Sequence, residues 1–577
     1  MTVLVRRARS TSPAAPGPVG PSTAPLARRR EGHTTRWWWF VVASAVYGLL
    51  LLTMDPKGQI GSDAAAKVSA LEQMQRSGSS VPEVPYWARE EDPTGRFYPV
   101  HNSTEIEGRW ITVSTLPMVE AMAPLYRVGG VRLALALPIA GALTCAWAAA
   151  ALARRFGADS RAAFFVVALA SPVTVYAMTI WEHTLGLAGV AWGVVLLVDI
   201  RRGARSWGWA AVAGVSFGVA ATMRTEALVY AAVVGATFGF AMSRERRSLI
   251  HAMRIGGAML AGLSLPVLAN VLLERAVLGT DMRSGRAAGV ASASGAQPLV
   301  RLRDGAVSLF AVVANDSALS IGIGVVFSIT VALAVWFWTD EQRRDRSRQL
   351  MVVACVIMVV MCTTGLGFVP GLLPTAPLAV AGVLALRTAR REAREMAVAA
   401  VAAVLLVWIT QYTTNVVPQW SGRYVLASGV FLIVLGLRHT VPLGARRTLI
   451  GLSVAVTMFG LLWTGQRTRD VADFFDAIDA QQNDVVISRD TNLLREAGAA
   501  VVGRQWLNAE SSDDVAATFA IARRAHASTV LLIQRDDQAD ITAPACFVDD
   551  GRERRRFLPN AEFTLITFRV VGDCPTP

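Results

Sequence analysis

Asp63 stands just beyond the first apolar run of the chain, residues 37 to 54, within Gly61-Ser62-Asp63-Ala64-Ala65-Ala66-Lys67. Later apolar runs are interrupted by Trp181-Glu182-His183, by Arg224-Thr225-Glu226 and by Gln419-Trp420-Ser421-Gly422-Arg423-Tyr424. A carboxylate beside a low-dielectric surface holds protons more tightly than one in water, which suits it to abstract a proton from a hydroxyl. An arginine in a tight polar turn presents a planar fork of donors that matches phosphate oxygens, so Arg224 and Arg423 are candidate anion ligands. Glu182, His183, Glu226, Lys67 and Tyr424 flank them as further candidates. Ionisable groups at membrane depth are costly and face a cavity or one another.

Each cluster also has a plainer reading. Ser62 or Asp63 would cap a helix carrying residues 64 to 74, with Asp63 paired to Lys67 one turn on. Glu182 would pair with His183, and Arg224 with Glu226. His101 and the run Glu90-Glu91-Asp92 read as solvated surface, and Gly322-Ile323-Gly324 is too short for a nucleotide loop.

The elements that must position these residues follow from composition. Of 577 residues, 53% are hydrophobic and only 17% charged, and mean hydropathy is +0.42. A soluble domain needs far more polar surface, so the chain reads as a polytopic membrane protein. Its net charge of +13 does not point to nucleic acid. Lys57 and Lys67 are the only lysines, and the arginines fall in short clusters between apolar runs, as topology signals do.

Residues 1 to 36, rich in Pro, Ala, Ser and Arg, cannot bury apolar area and are expected to be a disordered cytoplasmic segment, with no cleaved signal peptide. Trp37, Trp38 and Trp39 then mark the inner edge of the first span. Further runs lie at 130 to 153, 162 to 179, 184 to 199, 207 to 222, 227 to 242, 253 to 273, 317 to 338, 350 to 368, 371 to 386, 396 to 411, 424 to 437 and 448 to 464. That makes about thirteen spans. With the N-terminus inside, the inner loops begin at Arg154, Arg201, Arg244, Asp340, Arg387 and Arg438, and every one is basic. The other side receives outer loops 55 to 129 and 274 to 316 and the tail from 465.

The tail changes character. Residues 484 to 488, 529 to 533 and 563 to 571 read as strands and 515 to 527 as an amphipathic helix, so residues 465 to 577 should form a small extracytoplasmic α/β domain. Cys145, Cys355 and Cys362 lie in apolar runs and behave as small hydrophobes; Cys546 and Cys574 fall where a disulfide can form. No Cys/His spacing suggests zinc.

In order and position, these motifs resemble the GT-C superfamily of integral-membrane glycosyltransferases. The likeness rests on Gly61-Ser62-Asp63 after the first run, Trp181-Glu182-His183, Arg224-x-Glu226, the approach from Asn270 to Gly279, Pro370-Gly371-Leu372-Leu373-Pro374, and the stretch ending at Arg423-Tyr424. It covers residues 37 to 465, and many members carry a soluble outer domain. The resemblance implies a mainly α membrane bundle and a polyprenyl-phosphate sugar as donor. Asp63 would deprotonate the acceptor hydroxyl, usually with inversion, while Arg224 and Arg423 hold the lipid phosphate and Glu182 and His183 lie nearby. Many members have a paired acidic motif in the first loop. Here Asp63 is alone, with Asp55 too near the helix end to partner it, so a site without metal or other cofactor is expected.

The expected function is sugar transfer to a bacterial envelope glycan or glycolipid on the outer face of the cytoplasmic membrane. A transporter or flippase for a lipid-linked or anionic solute is the alternative, and a scaffold without chemistry a third. Transport does not explain why the clusters gather at one surface rather than near the midplane, and no inverted repeat is visible.

Overall fold

The computed structural model describes residues 37–112, 115–246, 248–282, 298–312, 318–338, 340–363, 371–389, 391–411, 422–558 and 561–571. The basic segment 1–36, Pro370, Gln419, Trp420, Ser421 and Cys574 lie outside them.

The chain opens with α1 (Trp37–Thr53) and α2 (Ser62–Ser77), followed by a hairpin of β1 (Ser103–Ile106) and β2 (Arg109–Thr112). Next come α3 (Leu116–Ala134), α4 (Ala136–Phe156), α5 (Ser160–Leu169), α6 (Pro172–Ala177), α7 (His183–Arg201), α8 (Trp209–Met223), α9 (Glu226–Arg246) and α10 (Leu249–Leu278). The bundle continues through α11 (Pro298–Phe310), α12 (Ala318–Trp338), α13 (Arg344–Thr363) and the short helices α14 (Leu372–Thr375), α15 (Pro377–Val383) and α16 (Ala385–Thr388). It closes with α17 (Arg391–Gln411), α18 (Leu426–Gly436) and α19 (Leu443–Ala480).

Among the described residues, each of the thirteen apolar runs falls on helix, and that at 371 to 386 is divided among three short helices. Eight helices among the described residues are long and apolar enough to cross a membrane: α4, α7, α9, α10, α12, α13, α17 and α19. The remaining runs sit on shorter apolar helices, including α1, α5 and α8. The chain is a multi-pass membrane protein. Helices at its periphery fit this: on α10, Leu260, Leu265, Leu268 and Leu272 are each at least 60% exposed, a surface suited to lipid. The run from 130 begins at a kink inside α3, where Gly129 and Gly130 leave helical geometry.

The basic loops meet one another. Arg155 grips Asp199 through Nε and Nη2, both at 2.6 Å; Arg201 pairs with Glu245 at 2.7 Å and with Glu395; Arg391 reaches Glu245 at 3.3 Å. Arg438 donates to the Phe156 carbonyl at 3.2 Å. These loops therefore share one end of the bundle, and Asp63 lies at the opposite end.

There α19 runs on for 38 residues, about 57 Å at 1.5 Å per residue, far beyond a bilayer's hydrocarbon. Residue 465 lies within it. It leads into a five-stranded sheet built from β3 (Val485–Ser488), β4 (Gln505–Asn508), β5 (Thr529–Arg535), β6 (Phe547–Leu558) and β7 (Ala561–Val570), in the order β4-β3-β5-β7-β6. The first three strands are parallel, with Ile487 of β3 between Leu507 and Leu532; β7 and β6 are antiparallel additions. Helix α20 (Thr491–Leu494) follows β3, and α21 (Ser512–Arg524) carries a Ser511/Asp514 capping box. The strands at 484, 529 and 563 and the helix at 515 are thus where the sequence places them. Strands β4 and β6 were not expected: β4 is short, and β6 is an edge strand whose Arg552, Glu553, Arg554, Arg555 and Arg556 suppress apolar alternation and resist pairing with a further strand. Cys546 is disulfide-bonded, whereas Cys145, Cys355 and Cys362 are free thiols.

The loop between α2 and β1 shares a core with this sheet. Val84, Tyr86, Phe97 and Tyr98 cluster with Phe474, Trp506 and Phe519. Trp87 Nε1 donates to the Trp506 carbonyl at 3.0 Å, and the Asn508 N–H donates to the Phe97 carbonyl at 2.9 Å. Asp92 is not solvated surface as the sequence suggests: it is buried, accepting from Tyr86 Oη at 2.8 Å, Thr94 Oγ1 at 2.9 Å and the Phe97 N–H at 2.9 Å. Burial pushes its carboxyl up, but these donors outweigh burial and hold it below the usual range.

Candidate active site

Gly61 starts the site. Its φ of 85° and ψ of 152° belong to a region open essentially to glycine alone, and it is the N-cap of α2 without any side-chain capping bond. The expected cap from Ser62 or Asp63 is therefore not formed: both already lie in the first helical turn, and the Asp63 carboxylate meets Asn102 and Arg423 instead. Gly61→Ala should destabilise the chain by about 1–3 kcal/mol through backbone strain, seen as a lower thermal midpoint in detergent; an unchanged midpoint would show that the turn relaxes.

Four separate turns converge there. Arg423, in a 3-10 turn that follows Gly422 in a left-handed conformation (φ 58°), places Nη1 3.4 Å from Asp63 Oδ2. Its Nη2 donates to Tyr424 Oη at 2.7 Å, and its guanidinium lies 4.7 Å from the Tyr424 ring centre. Arg224 lies 5.2 Å from the same ring centre. Arg224, at the C-terminus of α8, binds Glu226 through Nε at 2.9 Å and Glu182 through Nη1 at 3.1 Å.

Lys67 corrects the sequence reading. One turn along α2 from Asp63, its ammonium touches only the Asp63 carbonyl, at 3.4 Å, and its ionic partner is Glu182 Oε2 at 2.8 Å. Lys67 and Glu182 are both almost wholly buried, with side chains 2% and 5% exposed. Glu182 accordingly pairs with Lys67 and Arg224 rather than with His183. The His183 ring is buried and stacks on Tyr176, with centres 4.7 Å apart, and against Trp181 at 5.2 Å. The plainer pairing of Arg224 with Glu226 holds, but as one link in a longer chain from Lys67 through Glu182 and Arg224 to Glu226.

Every expected site residue is thus at one place. Asp63, Glu182 and Glu226 balance Lys67, Arg224 and Arg423, so the charges sum to zero. A small cavity of about 20 Å³, lined by His183, Arg224, Glu226, Tyr230, Arg423 and Tyr424, lies among them.

Asn102 was missed. Its Nδ2 donates to Asp63 Oδ1 at 2.7 Å and to Ser62 Oγ at 3.0 Å. The one local signal was an asparagine before a strand, a residue that tolerates the left-handed φ of 58° found here. His101 beside it is half-buried rather than solvated; burial first, then Arg495, lowers its proton affinity, opposed by Asp63 and Glu510. Among the described residues, no three His, Cys, Asp or Glu side chains gather as a potential metal site.

The fold and site define a multi-pass membrane protein with a cleft of paired charges at the end that bears the α/β sheet. No protein-family model matches the chain, and none of the curated proteins does. Among solved structures it is similar to ArnT from Cupriavidus metallidurans bound to undecaprenyl phosphate, at 13% identity and a TM-score of 0.39, over 92% of this chain and 98% of that one. It is also similar to the archaeal oligosaccharyltransferase AglB from Archaeoglobus fulgidus, in complex with an inhibitory peptide and a dolichol-phosphate. That likeness has 11% identity and a TM-score of 0.43, over 87% of this chain and 70% of that one.

Proposed function

We propose that this chain is an integral-membrane glycosyltransferase of the GT-C type. It takes a hexose or pentose from a polyprenyl-phosphate donor to an envelope glycan or glycolipid on the outer face of the cytoplasmic membrane. The observation that carries this reading is the juxtaposition of a partly exposed carboxylate, Asp63, with the Arg423 guanidinium at 3.4 Å, over a second guanidinium on the same tyrosine. A base and an anion site are then adjacent, as displacement at an anomeric carbon requires.

In the reaction, Asp63 takes the proton of the acceptor hydroxyl as its oxygen bonds to the anomeric carbon. The bond from that carbon to the phosphate oxygen breaks, and the electron pair leaves with the polyprenyl phosphate. Arg423 faces the charge that develops, backed by Arg224, whose own orientation Glu182 and Glu226 fix.

The buried ionic chain from Lys67 to Glu226 is the feature that would also suit ion-coupled transport. One experiment separates the two. The purified chain in lipid nanodiscs is given undecaprenyl-phosphate hexoses and pentoses with envelope glycan from a strain lacking the gene. A transferase releases undecaprenyl phosphate and adds one linkage to the glycan, the linkage that the deletion strain lacks. Donor recovered intact, with no new linkage from any sugar, would overturn the proposal.

A further inference from the structure

Asp63 is one-third exposed, and its contact with Arg423, at 3.4 Å, is long for a charge-assisted bond. That contact alone leaves the carboxylate free to rotate into solvent. Asn102 makes the short contact, 2.7 Å to Oδ1, while its other amide hydrogen reaches Ser62 Oγ at 3.0 Å. One amide therefore spans the first turn of α2 and fixes the rotation of its carboxylate.

The support behind Asn102 is stiff. At Phe97, five residues upstream, the N–H is held by Asp92 and the carbonyl by Asn508 at the end of β4, each at 2.9 Å. Tyr98 stacks on Trp110, with ring centres 4.1 Å apart, and donates its hydroxyl to the Val84 carbonyl at 2.8 Å. Downstream, Ser103 pairs with Thr112 in the β1–β2 hairpin. The segment 97–102 is thus a strap tied at one end to the α/β sheet and at the other to the hairpin.

We infer that Asn102 is the positioning residue of Asp63: it holds Oδ1 and so presents Oδ2 as the proton-accepting oxygen, with the α/β sheet as its anchor. This rests on the reading of Asp63 as general base. A misaligned base loses rate without losing donor affinity, because orientation acts on the transition state.

Glycine is the discriminating replacement, since it adopts a φ of 58° without strain and removes only the amide. Wild type, Asp63→Asn, Asn102→Gly and the double variant are compared in nanodiscs at equal protein and similar thermal midpoint. Release of undecaprenyl phosphate is followed from whichever undecaprenyl-phosphate sugar the wild type turns over. Asn102→Gly should lower kcat on the order of tenfold to a hundredfold with donor KM within about twofold. The double variant should be no slower than Asp63→Asn alone, because Asn102 acts through Asp63. Asn102→Asp keeps the turn but sets an acceptor against Asp63, and should be slower than the glycine variant.

If Asp63→Asn is slow while Asn102→Gly runs at the wild-type rate, the inference fails and the base assignment stands. A double variant slowed by the product of the two single effects likewise overturns it, since Asn102 would then act elsewhere. Asp63→Asn at the wild-type rate removes the base reading and this inference with it.

Discussion

Asp63→Asn is expected to lower turnover by about 10²- to 10⁴-fold, the usual contribution of a positioned general base. The substitution is nearly isosteric, and an asparagine Oδ1 at that place still accepts from Asn102 Nδ2, so α2 should keep its start. What disappears is the basic oxygen facing Arg423. The loss should therefore fall on kcat and on kcat/KM alike, with donor KM little changed, because Arg423 and Arg224 remain. Steady-state release of undecaprenyl phosphate in nanodiscs measures both. Asp63→Glu keeps the charge but lengthens the side chain past Asn102, and should recover part of the rate. Wild-type turnover by Asp63→Asn would end the base assignment, and the function would have to be sought in the buried ionic chain.

Lys67→Met should strongly destabilise this end of the molecule. Its ammonium is buried against Glu182 at 2.8 Å, and removing one member of a buried ion pair costs about 3–5 kcal/mol because the partner charge is stranded. Arg224 still reaches the other oxygen of Glu182, which places the expected cost toward the lower end. By contrast, breaking the exposed Glu72–Arg76 pair on the same helix should cost about 0.3–0.5 kcal/mol. Thermal unfolding in detergent ranks the two, and adding Glu182→Gln to Lys67→Met should return much of the loss. Equal midpoints for Lys67→Met and wild type would mean that α2 is held by its apolar face alone.

The membrane architecture was readable because an apolar run long enough to span lipid is a strong signal, and eight of the runs lie on helices long and apolar enough to cross a membrane. Strand β6 was not readable, because five consecutive charged residues leave no alternation to detect. At the site, sequence order placed Asp63, Glu182, Arg224 and Arg423 on one surface, since each follows a run of known direction. The partners were harder. Lys67 looked like an i, i+4 partner of Asp63, yet its ammonium turns to Glu182 on another helix, a contact that no local spacing reveals. Asn102 acts through a left-handed turn and a tether to β4, so its role depends on tertiary contacts that a single residue type does not encode. Asp92 looked solvated because it follows two other acids, and only the fold brings three donors around it.

Lys57 has a use that follows from the scarcity of its kind. It and Lys67 are the chain's only lysines, and Lys67 is sealed in the ionic chain, whereas the Lys57 side chain is 66% exposed beside Asp476. Amine acylation therefore has one accessible side-chain target, six residues before Asp63 in the chain. Asp476 holds the Lys57 amine in its protonated form to higher pH than usual, so the reaction calls for a mildly alkaline buffer. A membrane-impermeant acylating dye given to intact cells then becomes a compass for the molecule. Dye on Lys57, located by peptide mapping, would put this end of the molecule on the outside.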